Sequence, residues 1–246
     1  MSLGAEAVAA ALVAACELDV SVDKPGNVSD AHPGHGMTAA DFRASAQAIA
    51  PVFADPAPGV GRRVRRAVAA TWAAVGCNTN LGICLLAAPL ADAALRPGGG
   101  SLRERVVATL AELTVADAED VYAAIRQARP AGIGRSEQHD VAEAPAVDLR
   151  TAMVHAAPRD RIGWQYGYGF GDVFERGVAT LAAVPSAAAA ERTLDCYLAF
   201  LSAFPDSHIV RKHGEYAARA VQQSAISLAS LRKACENPRV VSEQLA

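Results

Sequence analysis

Alanine dominates the chain, with 56 alanines among 246 residues, and this constrains the fold more than any other feature. Alanine has the highest helix propensity, and its small side chain lets neighbouring helices pack closely. It also explains why the chain is 52% hydrophobic but only 5% aromatic. Runs of alternating β-branched residues are missing from the sequence as well. The pattern therefore predicts an all-α fold.

Apolar residues recur at helical spacing along most of the chain, and glycine, proline and polar residues separate the helical stretches. Thr38 with Asp41, and Thr114 with Asp117, have the spacing of acidic capping boxes and predict two helix starts. Because no linker is long or strongly biased, residues 1–246 are predicted to form a single domain, a helical bundle of about nine helices. The predicted helices cover residues 3–18, 38 to near 56, 62–72, 83–95, 101–112, 115–128, 147–183 with an interruption at 167–171, 186–203 and 215–235.

Charge and cysteine content exclude several classes of protein. The net charge of −3 gives no overall basic surface for nucleic acid. The longest apolar run, Leu81–Ala91, is shorter than the roughly 18 residues of a membrane span. The five cysteines form no Cys-x-x-Cys pair, and the amino terminus has no basic signal-peptide region. These features predict a cytoplasmic protein that binds neither nucleic acid nor membrane, with a homodimer as one option for its assembly.

The common nucleotide and hydrolase motifs are missing from the sequence. It contains no P-loop, no Gly-x-Gly-x-x-Gly after a strand, no His-Glu-x-x-His and no Gly-x-Ser-x-Gly. A nucleotide site in this chain would therefore lack the usual phosphate-binding loops.

Four polar segments interrupt the apolar pattern, each at a predicted helix end. Helix amino termini carry free N–H groups and a positive dipole end, so several of them together can bind a polyphosphate. The alternative, that each segment is only a cap or a turn, stays open because Asn, Asp, Ser and Gly are also turn residues. We expect the segments at 24–36, 77–82 and 206–214 to converge on one pocket. The four segments are Lys24–Val28 with His32 and His35, Asn78–Asn80, Arg135–Asp140 and Asp206–Gly214.

Other groups have two interpretations each. His139 and Asp140 are either a general base with its orienting partner or part of a surface turn. The aromatic residues of the segment 164–170 form either a helix contact closed by glycines or a platform on which a base stacks. The segment Arg62–Arg66 is typical of a solvated helix face, and Arg159–Arg161 is a mixed ionic cluster on a helix.

The order of the polar motifs resembles that of the triphosphoribosyl-dephospho-CoA synthase family, and the chain is similar to its shorter branch over most of its length. The resemblance implies an all-helical fold and a transferase that uses ATP. In that reaction the 2′-hydroxyl of 3′-dephospho-CoA attacks C1′ of the ATP ribose, adenine leaves, and the triphosphate is kept. The elements that carry the resemblance are Lys24-Pro25-Gly26-Asn27-Val28, Met37 with Asp41-Phe42 and Ser45-Ala46, Gly76-x-Asn78-Thr79-x-x-Gly82, and Asp206-Ser207-His208 before Gly214.

The resemblance also implies roles for individual residues. Asp206 is expected to face C1′ or to bind Mg²⁺, with Glu137 as a second catalytic group and Asp140 as a second metal ligand. Lys24 and Lys212 are expected to hold phosphates. ATP is then the substrate and Mg²⁺ the cofactor. The other expected substrate-binding residues are Asn27, His35, Asn78, Thr79, Asn80, Gly82, Arg135, Ser207 and Arg211.

The chain departs from the family pattern at three places. The family has Asn-Thr-His-Lys-Gly where this chain has Asn-Thr-Asn-Leu-Gly at 78–82, and its late Ser-Pro-Gly-Gly has no counterpart after Ala217. The carboxylate of a His-x-Asp-Met element is missing at His35-Gly36-Met37. The acceptor is therefore open: dephospho-CoA, or the substrate of a ribosyl-transfer or related step in making a methanopterin-type one-carbon cofactor. A catalytically silent module that binds a nucleotide or a carrier protein is a third alternative.

Overall fold

The computed structural model describes residues 3–236. Within that range the chain forms eleven α-helices and one π-helix, and its only β-structure is an isolated bridge between Gly34 and Met37. The all-α prediction is confirmed. The helix count exceeds the predicted nine because the region from 149 to 183 holds three short α-helices and the π-helix. The elements are α1 (Ala5–Ser21), α2 (Ala39–Ala54), α3 (Val60–Val75), α4 (Leu81–Leu95), α5 (Leu102–Ala111), α6 (Val115–Ala128), α7 (Leu149–Ala156), α8 (Arg161–Gly167), the π-helix (Val173–Val178), α9 (Ala179–Ala183), α10 (Ala189–Ala203) and α11 (Ser207–Glu236).

The chain divides into two compact units, one ending at Gly171 and the other beginning at Asp172. The first unit contains α1 to α8, and the second contains the π-helix and α9 to α11. Each has its own core and is described by itself. That the whole chain is one domain stays a prediction.

In the first unit, α2 packs against α1 and α3, and α3 packs against α4 and α6. The centre of this core includes Ile49, Phe53 and Val64, all with 0% exposure. The contact of α3 with α6 is very close: a Cβ added at Gly61 would lie 2.4 Å from the Cα of Asp117. The Gly61 N–H donates to the Asp117 carboxylate at 2.8 Å. Only glycine therefore fits at this helix crossing.

Both predicted capping boxes are confirmed. The backbone N–H and hydroxyl of Thr38 donate to Asp41 Oδ2 at 2.7 and 2.9 Å. Thr114 makes the same pair of bonds to Asp117 Oδ2, at 2.9 and 2.7 Å. These bonds fix the starts of α2 and α6, because they satisfy groups that a helix start leaves unpaired.

The basic segment Arg62–Arg66 is only partly the solvated face that its sequence predicts. Arg62, Arg65 and Arg66 have exposed side chains, whereas Arg63 is fully buried. Helical periodicity explains the difference, since position 63 lies on the same side of α3 as the core residues at 60, 64 and 67. The guanidinium of Arg63 caps the carboxyl end of α2 and the loop after it. It donates to the carbonyls of Val52 (2.9 Å), Phe53 (3.3 Å), Asp55 (2.7 Å) and Pro58 (3.0 Å).

The second unit has a smaller core, in which α10 packs against α11. Leu198, Leu201 and Ala225 are its buried hydrophobic centre. Gln222 and Arg232 of α11 add polar contacts to α10. Gln222 Nε2 donates to Ser202 O at 3.0 Å, and Arg232 Nε donates to Asp195 Oδ1 at 2.8 Å.

The predicted loop from 204 to 214 is wrong, because α11 already begins at Ser207. Asp206 starts the helix: its Oδ1 accepts the N–H groups of His208 at 2.7 Å and Ile209 at 3.0 Å. Gly214 interrupts the helical path with φ 85° and ψ 165°, a left-handed conformation that glycine adopts without a steric cost. The fourth polar segment is therefore a capped helical segment that ends at a glycine kink.

Two observations concern the cysteines and the membrane. Cys16, Cys77, Cys84 and Cys196 are free thiols, and burial raises the pKa of Cys16 to about 11 and that of Cys84 to about 12. None of the helices described here is both long and apolar enough to cross a bilayer. The cytoplasmic location stays a prediction.

Candidate functional site

The first polar loop folds back onto the carboxyl end of α1. Lys24 is only 3% exposed, and its ammonium donates to the carbonyls of Asp19 and Val22, the latter at 3.3 Å. It also forms an ion pair with the Asp19 carboxylate at 3.1 Å. A cation is stabilised there because the carboxyl end of a helix carries partial negative charge. A phosphate contact of Lys24 would therefore require it to leave Asp19.

Side chains of α1 and α2 hold this loop in place. Arg43 of α2 bonds both Glu17 and Asp30, with N–O distances of 2.6 to 2.8 Å. These hydrogen bonds lower the pKa of both carboxyl groups. Asn27 and His35 have exposed side chains on the same loop, and His35 adopts a left-handed φ of 56°. Both are thus accessible to a ligand.

The second polar loop connects α3 to α4 and contacts the start of α2. Asn78 Oδ1 accepts the Leu81 N–H at 3.1 Å, which caps α4. Thr79 Oγ1 donates to Ser45 Oγ at 2.6 Å, and Ser45 Oγ donates to the Asp41 carbonyl at 2.7 Å. These bonds fix the second polar segment against α2, the helix that follows the first polar segment.

Asn80 turns away from solvent into the core. It is 5% exposed, its Oδ1 accepts the Thr71 hydroxyl at 2.9 Å, and Cys84 Sγ lies 3.7 Å from the same oxygen. Its Nδ2 is buried and has no hydrogen-bond partner within the described residues. The next residue, Leu81, is buried as well. The two positions at which the chain lacks the family's His-Lys pair are therefore core positions here.

The third polar segment is a turn organised by Asp140. The Asp140 carboxylate accepts the N–H groups of Ser136 at 2.7 Å and Ala142 at 2.8 Å, and these bonds lower the pKa of its carboxyl group. The ring of His139 instead packs edge-on against His155, with 5.3 Å between centroids. This favours the surface turn over the base-and-partner interpretation. Arg135 and Glu137 are exposed on the same turn.

The start of α8 connects the second and third polar segments. Arg159 Nη2 donates to Ser136 Oγ at 2.8 Å. Ile162 Cδ1 lies 3.6 Å from the position of a Cβ added at Gly82. Residues at and just before the start of α8 thus contact both the second and the third polar segments. Arg159 was not among the predicted substrate-binding residues, although the Arg-Asp-Arg cluster was its signal in the sequence.

The aromatic residues around 164–170 divide between the two interpretations. Tyr166 and Phe170 are fully buried, and the Tyr166 hydroxyl donates to the Leu85 carbonyl at 2.7 Å. Burial raises the pKa of Tyr166 above its ordinary range. Trp164 and Tyr168 instead stack on each other, with 4.7 Å between ring centroids and 24° between ring planes. The buried pair serves packing, and the stacked pair has the geometry of a platform.

The fourth polar segment lies in the second unit. Ser207 and Arg211 are four residues apart on the first turns of α11, so they share one face, and Lys212 follows. Arg211 Nη2 lies 3.1 Å from His208 Nδ1. Because this segment and the other three belong to different units, their convergence on one pocket stays a prediction.

The metal prediction has limited support from the side chains. Among residues 3–236 no group of three or more His, Cys, Asp or Glu side chains lies close enough to hold a metal ion. Both oxygens of Asp140 already accept backbone N–H groups, and Asp206 Oδ1 accepts the two N–H groups at the start of α11. Mg²⁺ as the cofactor stays a prediction.

Comparison with known proteins gives one family and one structural relative. The family model described as ATP:dephospho-CoA triphosphoribosyl transferase matches residues 5–244. The crystal structure of a protein from Archaeoglobus fulgidus, provisionally identified as a triphosphoribosyl-dephospho-CoA synthase, matches with a TM-score of 0.62 and 23% sequence identity. The match covers 82% of this chain and 89% of that chain, and shows a shared fold. A search of curated proteins gave no significant match.

Proposed function

Because the chain belongs to the ATP:dephospho-CoA triphosphoribosyl transferase family, we propose that it transfers the triphosphoribosyl group of ATP to 3′-dephospho-CoA. The bond between C1′ and the adenine nitrogen breaks, and C1′ forms a bond to the 2′-oxygen of the acceptor. Adenine leaves with the bonding electrons, and the acceptor hydroxyl loses its proton. The family match over residues 5–244, which is nearly the whole chain, is the observation that carries this proposal.

The first unit supplies the binding groups in this proposal. The second polar segment bonds to α2, and the second and third segments both contact residues at or just before the start of α8. Asn27, His35, Arg135 and Glu137 have exposed side chains and are proposed to contact the substrates. Asn78 and Thr79 already bond within the protein, and we propose that they position the loop whose Gly82 lies beside α8.

The second unit carries charged candidate groups at the start of α11. We propose that Arg211 and Lys212 hold the triphosphate, with Ser207 as an additional donor on the same helical segment. Arginine and lysine suit this role because their N–H groups form charge-assisted hydrogen bonds to phosphate oxygens. Asp206 is proposed to face C1′, where a carboxylate stabilises the positive charge that develops as adenine departs. Mg²⁺ bound to the triphosphate would neutralise part of its charge.

Release of adenine from ATP tests the proposal directly. The protein is incubated with ATP, Mg²⁺ and dephospho-CoA, and free adenine is measured by chromatography. We expect adenine and the coupled product in equal amounts, and no adenine without acceptor. Adenine release with a pterin-type acceptor but not with dephospho-CoA would move the chain to the one-carbon cofactor alternative. No release with either acceptor, together with a melting temperature raised by ATP, would identify a silent nucleotide-binding module.

A further inference from the structure

Three side chains form a continuous stack along α8 and the turn after it. The guanidinium carbon of Arg161 lies 3.9 Å from the ring centroid of Trp164, which itself stacks on Tyr168 at 4.7 Å. Tyr168 is 59% exposed, although it is a large aromatic residue. Its ring is therefore held in a fixed orientation by Trp164 while much of its surface remains open to solvent.

Packing alone does not account for this exposed ring. The neighbouring aromatic residues Tyr166 and Phe170 are both fully buried and contribute the packing of this segment. A tyrosine that is stacked on a second ring and also exposed has the arrangement on which flat heteroaromatic ligands bind, because the face of a base stacks on the open face of the ring.

An arginine lies at each end of the stack, in a chain whose net charge is −3. Arg161 lies at one end of it. Arg150 of α7 reaches the other end, where its Nη2 donates to the Gly167 carbonyl at 3.4 Å. Arg159 lies just before α8 and contacts the third polar segment. This charge complements the phosphates of a nucleotide.

The stack also begins beside the second polar segment. Ile162, next to Arg161, packs against Gly82. A helical rise of 1.5 Å per residue separates Arg161 from Tyr168 by about 10 Å, so a single nucleotide can contact both ends of the stack.

We propose that the stack of Arg161, Trp164 and Tyr168 binds an adenine nucleotide, with the base on the exposed ring of Tyr168 and the phosphates directed toward Arg161. The inference rests on the proposed function, whose two substrates, ATP and dephospho-CoA, both carry an adenine base and phosphates. It adds the residues that recognise the base, which the polar segments do not supply.

Fluorescence of Trp164 provides the test. The chain has two tryptophans, so the Trp72→Phe protein leaves Trp164 as the only one, and ATP and dephospho-CoA are titrated into it separately. We expect a saturable change in emission with at least one of the two, and none with inorganic triphosphate, which has no base. The nucleotide that gives the change is the one whose base lies on the stack.

Substitutions of Tyr168 then separate stacking from general effects. Tyr168→Leu should raise Kd by about tenfold, the size expected when one base–ring contact is lost, whereas Tyr168→Phe should bind nearly as tightly as the parent. Tyr216→Ala is the matched control, because Tyr216 is a 90% exposed tyrosine of the second unit. Circular dichroism and melting temperature establish that each variant is folded.

The outcomes distinguish this inference from the proposed function. If Tyr168→Leu leaves Kd unchanged, or if neither nucleotide alters the emission, the inference is wrong, even when adenine release is normal. If the emission changes and Tyr168→Leu weakens binding while no acceptor gives adenine release, the nucleotide site stands and the transferase proposal fails.

Discussion

The two units of the chain hold their candidate residues in different ways. In the first unit, side-chain hydrogen bonds hold the candidate loops in place, such as those of Thr79 to Ser45 and of Arg159 to Ser136. In the second unit the candidates occupy the first turns of one helix, which begins at the cap Asp206 and is interrupted at Gly214. The first unit thus holds its candidate side chains through contacts between residues distant in sequence, whereas the second unit holds them on one helical segment.

The cores of the two units also differ in how many large side chains they bury. Of the twelve largest fully buried side chains in the described residues, only Leu198 belongs to the second unit. The second unit also exposes several large hydrophobic side chains, among them Val178, Leu181 and Leu231. Fewer buried apolar contacts mean a lower free energy of local opening. The second unit is therefore expected to open more readily than the first.

The largest expected effect concerns the buried guanidinium of the first unit. Arg63→Met removes the donors to four backbone carbonyls at the end of α2 and in the loop after it. Leaving such groups buried without partners should lower the free energy of unfolding by about 3–5 kcal/mol, measured by urea denaturation. Arg66→Met, on the exposed face of the same helix, is the control and should cost about 1 kcal/mol or less. Equal losses in the two variants would contradict the structural role of Arg63.

The next prediction tests whether Asp206 of the second unit takes part in the reaction. Asp206→Asn removes the charge but keeps a side chain that can cap a helix, so stability should change little. If the carboxylate stabilises the charge at C1′, the rate of adenine release should fall by about 100-fold or more, equivalent to about 2.7 kcal/mol. Asp148→Asn is the matched control, since Asp148 caps α7 in the first unit by accepting the Thr151 N–H at 2.9 Å. Unchanged turnover in Asp206→Asn would show that Asp206 only caps α11 and takes no part in the reaction.

A pair of identical truncations would test the difference between the cores. Leu110 and Leu198 are both 2% exposed, one in each unit. Leu→Ala in a protein core costs about 2–5 kcal/mol, and less where the surroundings can collapse into the cavity. We expect Leu198→Ala to cost about 1 kcal/mol less than Leu110→Ala, measured by hydrogen exchange in each unit. A larger cost at Leu198 would reverse the proposed order of stability.

The smallest effect is a pH dependence within the first unit. Arg43 lowers the pKa of Glu17 and Asp30, so its contribution to stability is present above the ordinary carboxyl pKa of about 4 and is lost as the pH falls through the lowered values. Arg43→Gln should therefore lower the melting temperature at pH 7, and the difference from the parent should shrink below pH 4. Arg62→Gln is the control, because Arg62 is 73% exposed and lies 3.9 Å from its carboxylate partner. A difference that stays constant with pH would exclude the ion pairs as its cause.

Local signals in the sequence predicted much of the fold. The capping boxes of Thr38 and Thr114 could be identified because all the atoms involved lie within four residues. The buried Arg63 was missed because composition makes four arginines look like a solvated face, although the helical period places one of them on the core side. The start of α11 was missed because Gly214 and its polar neighbours resemble a loop, whereas the helix capped by Asp206 already begins at Ser207.

The candidate site was less accessible to sequence reasoning. The polar segments could be identified by type, but the contacts that connect them join distant positions, such as Thr79 with Ser45 and Gly82 with Ile162. The engagement of Lys24 with Asp19 was equally hidden, since the Lys-Pro-Gly pattern suggests a projecting cation and the chain instead folds that cation onto a helix end. Long-range packing decides both, and no local pattern encodes it.

Asn80 ties the chemistry of its loop to the composition of the core. Thr71 and Cys84 contact its amide, and Leu81 is buried beside it, so the His-Lys pair of the family would place an ammonium where the side chain is only 9% exposed. Burying a charge without a partner is costly. Placing the His-Lys pair at positions 80 and 81 would therefore first need changes in α3 and α4. Residues 80 and 81 are therefore held by the packing of α3 and α4, and a change at either position alters the core as well as the loop.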